Sequence, residues 1–246
     1  STIISRPNLL NYEILTAAAT AEEMLHPGFF RASQSRESYN SLRFELQQFS
    51  SPGQKDRFTY IYQASLVNDS IILDRVYPSI DASSELYYPD VPVPQPSTLP
   101  RDILMELDKP VQFSLSFNRF VNLSELKLLF EDSDVELLWL GIATRDSSMS
   151  PNWMSYLDAW GLPVWFLQNN VKEFEVAVQD ELRNRTKMLT DYRQYLTGID
   201  PNLSDRLEYI QKNGIKVFGV IVRATGPEML RWIDKYPLVR YYRRLS

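Results

Sequence analysis

From Val111 onward, apolar and polar positions follow two distinct periods. Phe113, Leu115 and Phe117 alternate with Gln112, Ser114 and Ser116, the repeat of a strand with one apolar face and one expected to be wet. Asn122 and Glu125 then stand at capping-box spacing, and Leu126, Leu129 and Phe130 make the apolar stripe of a helix. Val135–Ala143 is apolar throughout, as in a strand buried on both faces. The same strand–helix–strand order returns at the C-terminus. Val217–Val222 is almost wholly apolar, and Leu238–Leu245 reads as the last strand. Between them, Thr225-Gly226-Pro227-Glu228 supplies an N-cap hydroxyl, a first-turn proline and a returning carboxylate. Leu230 and Ile233 pack that helix down, and Lys235 suits the negative end of its dipole.

Upstream, Leu10, Ile14, Ala18, Ala21 and Leu25 predict a helix over Asn8–Leu25, stopped by His26-Pro27-Gly28. Leu42, Leu46 and Phe49 predict a second helix over Glu37–Phe49. Arg57–Val67 and Ile71–Tyr77 are rich in β-formers and flank Asn68-Asp69-Ser70, a hairpin signal. Asp81–Pro100 holds Pro89, Pro92, Pro94, Pro96 and Pro100, which favour extended chain. It reads either as a domain boundary or as an arm packed on one domain, with Tyr87 and Tyr88 able to pin one end. Between the two strand–helix–strand units, Met149–Phe166 is dense in aromatics. A long helix over Lys172–Leu196 and a short one over Leu203–Lys212 follow, the latter stopped by Asn213-Gly214.

These elements predict an α+β fold. Two β-α-β units form a ferredoxin-like or split β-α-β antiparallel sheet with helices on one face, beside an N-terminal helical and hairpin region. The division expected is 1–100 for the N-terminal helices, hairpin and proline-rich linker, and 101–246 for a sensor-like domain. One feature sits badly with the simplest arrangement. Val135–Ala143 would form an edge strand, yet it is apolar on both sides. The N-terminal hairpin or the aromatic insertion is expected to cover it.

Composition narrows the chemistry. The 246 residues hold no cysteine and one histidine, with a net charge of −5. Thiol catalysis, disulfides and thiolate metal sites are therefore excluded, and the acidic balance opposes a nucleic-acid surface. Absence of cysteine also suits an extracytoplasmic setting. No apolar run reaches the roughly 20 residues of a membrane span. The opening Ser1-Thr2-Ile3 lacks Met, so a fragment or processed form is expected.

Catalytic candidates are few. His26 ends a helix, where a turn or capping role competes with that of base or ligand. A zinc site would need almost entirely carboxylate ligands. Gly219 and Gly226 belong to no phosphate-binding loop. Glu131, Asp132 and Asp134 read as a solvated turn, since they lack the spacing of a calcium loop. No catalytic residue and no cofactor is expected. The candidate interaction surface is the aromatic insertion, with Trp153, Tyr156, Trp160 and Trp165; these residues equally suit core packing. Arg240, Arg243 and Arg244 beside Tyr241 and Tyr242 are explained by alternation along the last strand.

The run Phe218-Gly219-Val220-Ile221-Val222, with Thr225-Gly226 and Val239-Arg240, resembles the C-terminal domain of the sigma factor regulator family, the Gram-positive membrane anti-sigma proteins of YhdL type. Gln112–Phe117, Leu123–Leu126, Leu138-Trp139 and Trp160-Gly161-Leu162-Pro163 look similar to earlier parts of that domain. The resemblance covers Val111–Ser246. It implies a non-enzymatic extracytoplasmic sensing or interaction domain of a single-pass membrane anti-sigma factor. The sigma factor would be bound by a cytoplasmic segment absent from this chain. Envelope proteins are implied as further partners, and a homodimer is allowed. The alternatives are an assembly module of a cell-envelope complex and a carboxylate-based hydrolase.

Overall fold

Strands with two apolar faces need two covers, and the chain supplies them from different places. The computed structural model describes residues 6–27, 29–38, 41–49, 58–67, 70–77, 86–93, 99–146, 159–167 and 173–245. The N-terminal part is helix α1 (Arg6–Leu25) and strands β1 (Phe29–Ser38), β2 (Ser41–Phe49), β3 (Phe58–Val67) and β4 (Ser70–Tyr77). The four strands form an antiparallel sheet in chain order. A short helix α2 (Arg101–Met105) leads to β5 (Val111–Val121), α3 (Leu123–Phe130), β6 (Glu136–Ile142) and β7 (Gly161–Pro163). A 3-10 turn over Trp165–Leu167 precedes α4 (Phe174–Asp191), α5 (Arg193–Leu196) and α6 (Leu203–Asn213). Strand β8 (Val217–Ala224), helix α7 (Gly226–Lys235) and strand β9 (Val239–Arg244) complete the chain.

The fold is α+β with antiparallel sheets. In the second sheet the order is β7-β6-β8-β5-β9, so each β-α-β unit is split by a strand of the other. Phe113, Leu115, Phe117, Val220 and Val222 face one large apolar cluster, which Leu126 of α3 and Met229 and Leu230 of α7 also enter. Phe218, Ile221, Trp139 and Tyr241 join a second cluster with Leu86, Tyr87, Tyr88 and Val91. The segment 86–91 therefore covers the other face of the sheet. Ser114 and Ser116, expected to be wet, are fully buried beneath it. The backbone N–H of Tyr87 donates to Ser116 Oγ at 3.0 Å. Ser116 suits such a cover because its hydroxyl satisfies an incoming backbone group, whereas the Ser114 hydroxyl is buried without a hydrogen-bond partner.

Strand β6 is not an edge. Its Trp139, Leu140 and Gly141 pair with Pro163, Leu162 and Gly161 of β7, so the aromatic insertion closes the sheet. Pro163 is tolerated there because the outer strand needs no further donor. Gly161 is required by the close approach: a Cβ would overlap the Leu140 carbonyl oxygen and the Trp139 ring.

The helix expected over Glu37–Phe49 is absent. The segment instead forms the end of β1 and all of β2, which pairs with β1 and β3. Leu42, Phe44 and Leu46 alternate with Arg43, Glu45 and Gln47, and partners on both sides satisfy the backbone that a helix would satisfy internally. The long helix expected over Lys172–Leu196 is broken at Tyr192 between α4 and α5. Helix α1 does not belong to a separate core. Its Ile14, Ala17, Ala18, Ala21 and Met24 lie in the same cluster as Leu182 and Leu189 of α4 and Leu162 of β7. The boundary at residue 100 is therefore not a division of the hydrophobic core. Among the described residues no helix is long and apolar enough to cross a membrane.

The start of α7 carries the capping box read from the sequence. Glu228 N–H donates to Thr225 Oγ1 at 3.3 Å and Thr225 N–H to Glu228 Oε2 at 2.8 Å. Gly226 cannot be larger, since a Cβ would overlap the Leu104 carbonyl oxygen, while its N–H donates to Leu107 O at 2.9 Å. Gly226→Ala is expected to destabilise the fold by about 2–3 kcal/mol through this overlap. Thr225→Ala is expected to cost about 1 kcal/mol through the lost cap. Urea midpoints of the two variants, measured together, check both the magnitudes and their order.

Candidate functional site

The four aromatic residues singled out by sequence have different fates. Trp153 and Tyr156 lie outside the described residues. Trp160 is 0% exposed and belongs to the large apolar cluster with Leu162 and Val164. It is a core residue and offers no surface. Trp165 is half-buried and meets Phe166 edge-on, with ring centroids 5.9 Å apart. Phe166, the last residue of the aromatic insertion, is 44% exposed. His26 closes the last turn of α1, its N–H donating to Glu22 O at 2.9 Å, and its Nε2 lies 3.5 Å from Glu22 Oε2.

One described surface with the shape of a site is lined by Val164 and Leu167, on either side of Trp165 in the chain. A cleft of about 250 Å³ opens between the end of α3, the turn into β6, the 3-10 turn and the start of α4. Its walls are Phe130, Val135, Leu137, Val164, Leu167 and Phe174. Phe130 is fixed by stacking on Trp232, centroids 4.9 Å apart, and Trp232 Nε1 donates to Leu129 O at 2.9 Å. The rim carries Glu131, Asp134 and Glu136 against Lys127. Glu136 accepts a hydrogen bond from Arg223 Nε at 2.6 Å. Asp134 has only a loose pairing with Arg231, at 3.9 Å, with both side chains well exposed. The sequence puts Phe130 on a helix stripe and Val135 and Leu137 on a buried strand, whereas Val164 and Leu167 belong to no predicted stripe. That three elements leave a gap between them is a tertiary fact with no period of its own. The acidic run from Glu131 to Glu136 marked its edge. Among the described residues no group of three histidine or carboxylate side chains could hold a metal ion.

Two polar seams hold this surface on its scaffold. In the first, α1 presents Glu22 and Glu23 on neighbouring sides. The Tyr62 hydroxyl of β3 donates to the buried Glu22 carboxylate. Glu23 pairs with Arg185 of α4 at 2.7 Å, and Arg185 also reaches Glu181 at 2.7 Å. The Glu23 carbonyl accepts from Trp139 Nε1 at 3.0 Å. Two consecutive residues thus tie α1 to both sheets and to α4. Burial pushes the Glu23 carboxyl above its ordinary value, with Arg185 pulling the other way.

The second seam fastens the arm 86–91. Tyr88 stacks on Phe218 at 4.3 Å, and its hydroxyl accepts from Thr144 N–H at 3.0 Å. Arg206, paired with buried Asp200 at 3.2 Å, donates to Thr144 Oγ1 at 3.1 Å. Arg240 donates to the carbonyls of Tyr88 and Val91. Burial pushes the Arg240 pKa down from the usual guanidinium value. Beside the seam, burial and then a 3.1 Å hydrogen bond to Asp146 push the Tyr209 hydroxyl up to about 12. Arg240 thus serves two carbonyls of the arm, which need a donor.

A family model described as sigma factor regulator C-terminal matches residues 104–241. Neither a curated protein nor a solved structure matches the chain.

Arg185→Met is expected to destabilise the fold by about 2–3 kcal/mol, because Glu23 is left without its cation in a mostly buried place. Glu23→Gln is expected to be milder at pH 7. A carboxyl with a raised folded pKa holds its proton more tightly in the fold, so its contribution grows as pH falls from neutral towards 4.5. Urea unfolding at pH 7 and pH 5 checks this: the wild-type chain should gain relative to Glu23→Gln at the lower pH. An equal pH response in both chains would remove Glu23 as the titrating group.

Proposed function

Since the chain belongs to the sigma factor regulator C-terminal family, we propose that it is the extracytoplasmic sensing or interaction domain of a membrane-anchored anti-sigma factor. It acts by contact with proteins and not by catalysis. The observation that carries this reading is the family match over residues 104–241, which takes in both β-α-β units. The fold suits the task. The sheet is covered on both faces, and the polar seams tie α1 to the body that would receive a signal. In the full protein, a segment on the cytoplasmic side of an anchor would hold the sigma factor. Occupancy of the outer domain would alter that hold, as a ligand shifts an equilibrium only through different affinity for its two states.

Reporter fusions to the C-terminus of the full reading frame test the topology. Alkaline phosphatase should be active there and green fluorescent protein dark. The reverse pattern would place the domain in the cytoplasm and end this reading. Deleting residues 101–246 from the full protein should alter transcription from promoters of the cognate sigma factor. Unchanged transcription would leave the domain without a regulatory part.

A further inference from the structure

The cleft lined by Val164 and Leu167 has a size, a lining and a charge that together select an occupant. Its volume of about 250 Å³ lies below the roughly 300–1,000 Å³ of small-molecule pockets, so it suits a side chain better than a cofactor. Val135, Val164 and Phe174 are buried in its wall, and the Phe130–Trp232 stack keeps that wall rigid. Rigid apolar pockets of this kind receive the anchor residues of protein interfaces. Leu128 on α3, Phe166 on the 3-10 turn and Val176 on α4 are also exposed, at 66%, 44% and 59%, without lining the cleft.

Charge completes the description. Three carboxylates line the rim against one lysine. Arg223 holds Glu136, but Glu131 and Asp134 are exposed. Asp132 and Glu173, also exposed, stand next to lining residues in the chain. An anionic rim steers and selects cationic partners and disfavours anionic ones.

We propose that this cleft docks a segment of a partner protein in which one large apolar side chain is flanked by lysine or arginine. The inference deepens the interaction reading above and is independent of the side of the membrane on which the chain sits. The apolar side chain would fill the gap between α3 and α4, and the flanking cations would lie over Glu131 and Asp134.

The test uses the full chain and two fluorescein-labelled peptide amides, Lys-Lys-Phe-Lys-Lys and Glu-Glu-Phe-Glu-Glu, titrated by fluorescence anisotropy. The lysine peptide should bind about tenfold more tightly than the glutamate peptide, with the preference falling as salt rises. Reversing both rim charges in the E131K/D134K variant should lower affinity for the lysine peptide about tenfold. Both positions are exposed, so the fold should survive, and thermal melting checks that. Methyl signals of Val135, Val164 and Leu167 should shift on binding. Equal binding of the two peptides, binding that survives the charge reversal, or methyl shifts confined to other residues would each overturn the proposal. Self-association of the chain that the lysine peptide displaces would assign the face to a second copy and likewise overturn it. The fusion experiment and this titration fail separately, since one reads location and the other reads contact.

Discussion

Strand β8 has buried side chains on both faces, with Val220 and Val222 turned to one apolar cluster and Phe218 and Ile221 to the other. An antiparallel sheet can leave one face to water; this one cannot. The rest of the second sheet follows from that constraint. Helices α3 and α7 cover one face, as two β-α-β units require. The second face needs a cover that no regular element provides, and the arm 86–91 supplies it. The arm turns at Tyr88–Val91, where the Val91 N–H donates to Tyr88 O at 3.0 Å, and its other backbone groups must find partners outside regular structure. Ser116, Thr144 and Arg240 take part in bonds that hold it. Polar residues inside the sheet are therefore consequences of the cover.

The buried ionic groups obey the same logic. Glu23 with Arg185 and Asp200 with Arg206 sit where helices meet sheets, not at surface positions where an ion pair is worth little. Such pairs gain little over well-packed apolar residues, yet removing one partner is strongly unfavourable. They fix the seating of α1 and of the arm more than they add net stability. Helix α1 meets both sheets within one turn, through Tyr62 and Trp139. A displacement of α1 must break both contacts or carry both sheets with it.

Much of this was legible in the chain. Periods of two and of three to four residues gave β5, α3, β8 and α7, because each has one partner layer on each side and a clean cap or stop. The capping box at Thr225 and Glu228 is a local device and was read as such. The failures are non-local. Leu42, Leu46 and Phe49 satisfy a helical period, and the strand neighbours on both sides that override it lie elsewhere in sequence. Ser114 and Ser116 look wet because serine is polar, while the arm that buries them lies upstream in proline-rich text. The apolar character of β6 on both sides was a non-local clue present in sequence, as was the Tyr87-Tyr88 pair that pins the arm. Strand β6 required a cover, and β7 is that cover.

The same element links stability to the proposed interaction surface. Gly161–Pro163 must lie on β6 to protect an apolar edge, and Gly161 has no room for a side chain there. The chain then turns through Trp165–Leu167 before α4 begins at Phe174. Strand β7 is three residues long, and with the bonds from Ile142 N–H to Trp160 O and from Val164 N–H to Leu138 O it shields β6 from Leu138 onward. The start of β6 at Glu136 and Leu137, the turn before it and the end of α3 are left to be covered by Val164, Leu167 and Phe174, which do so incompletely. The cleft lies at the start of β6, before the stretch that β7 pairs. Lengthening β7 to close it would remove the gap between α3 and α4. The proposed docking cleft thus adjoins the strand that protects the edge.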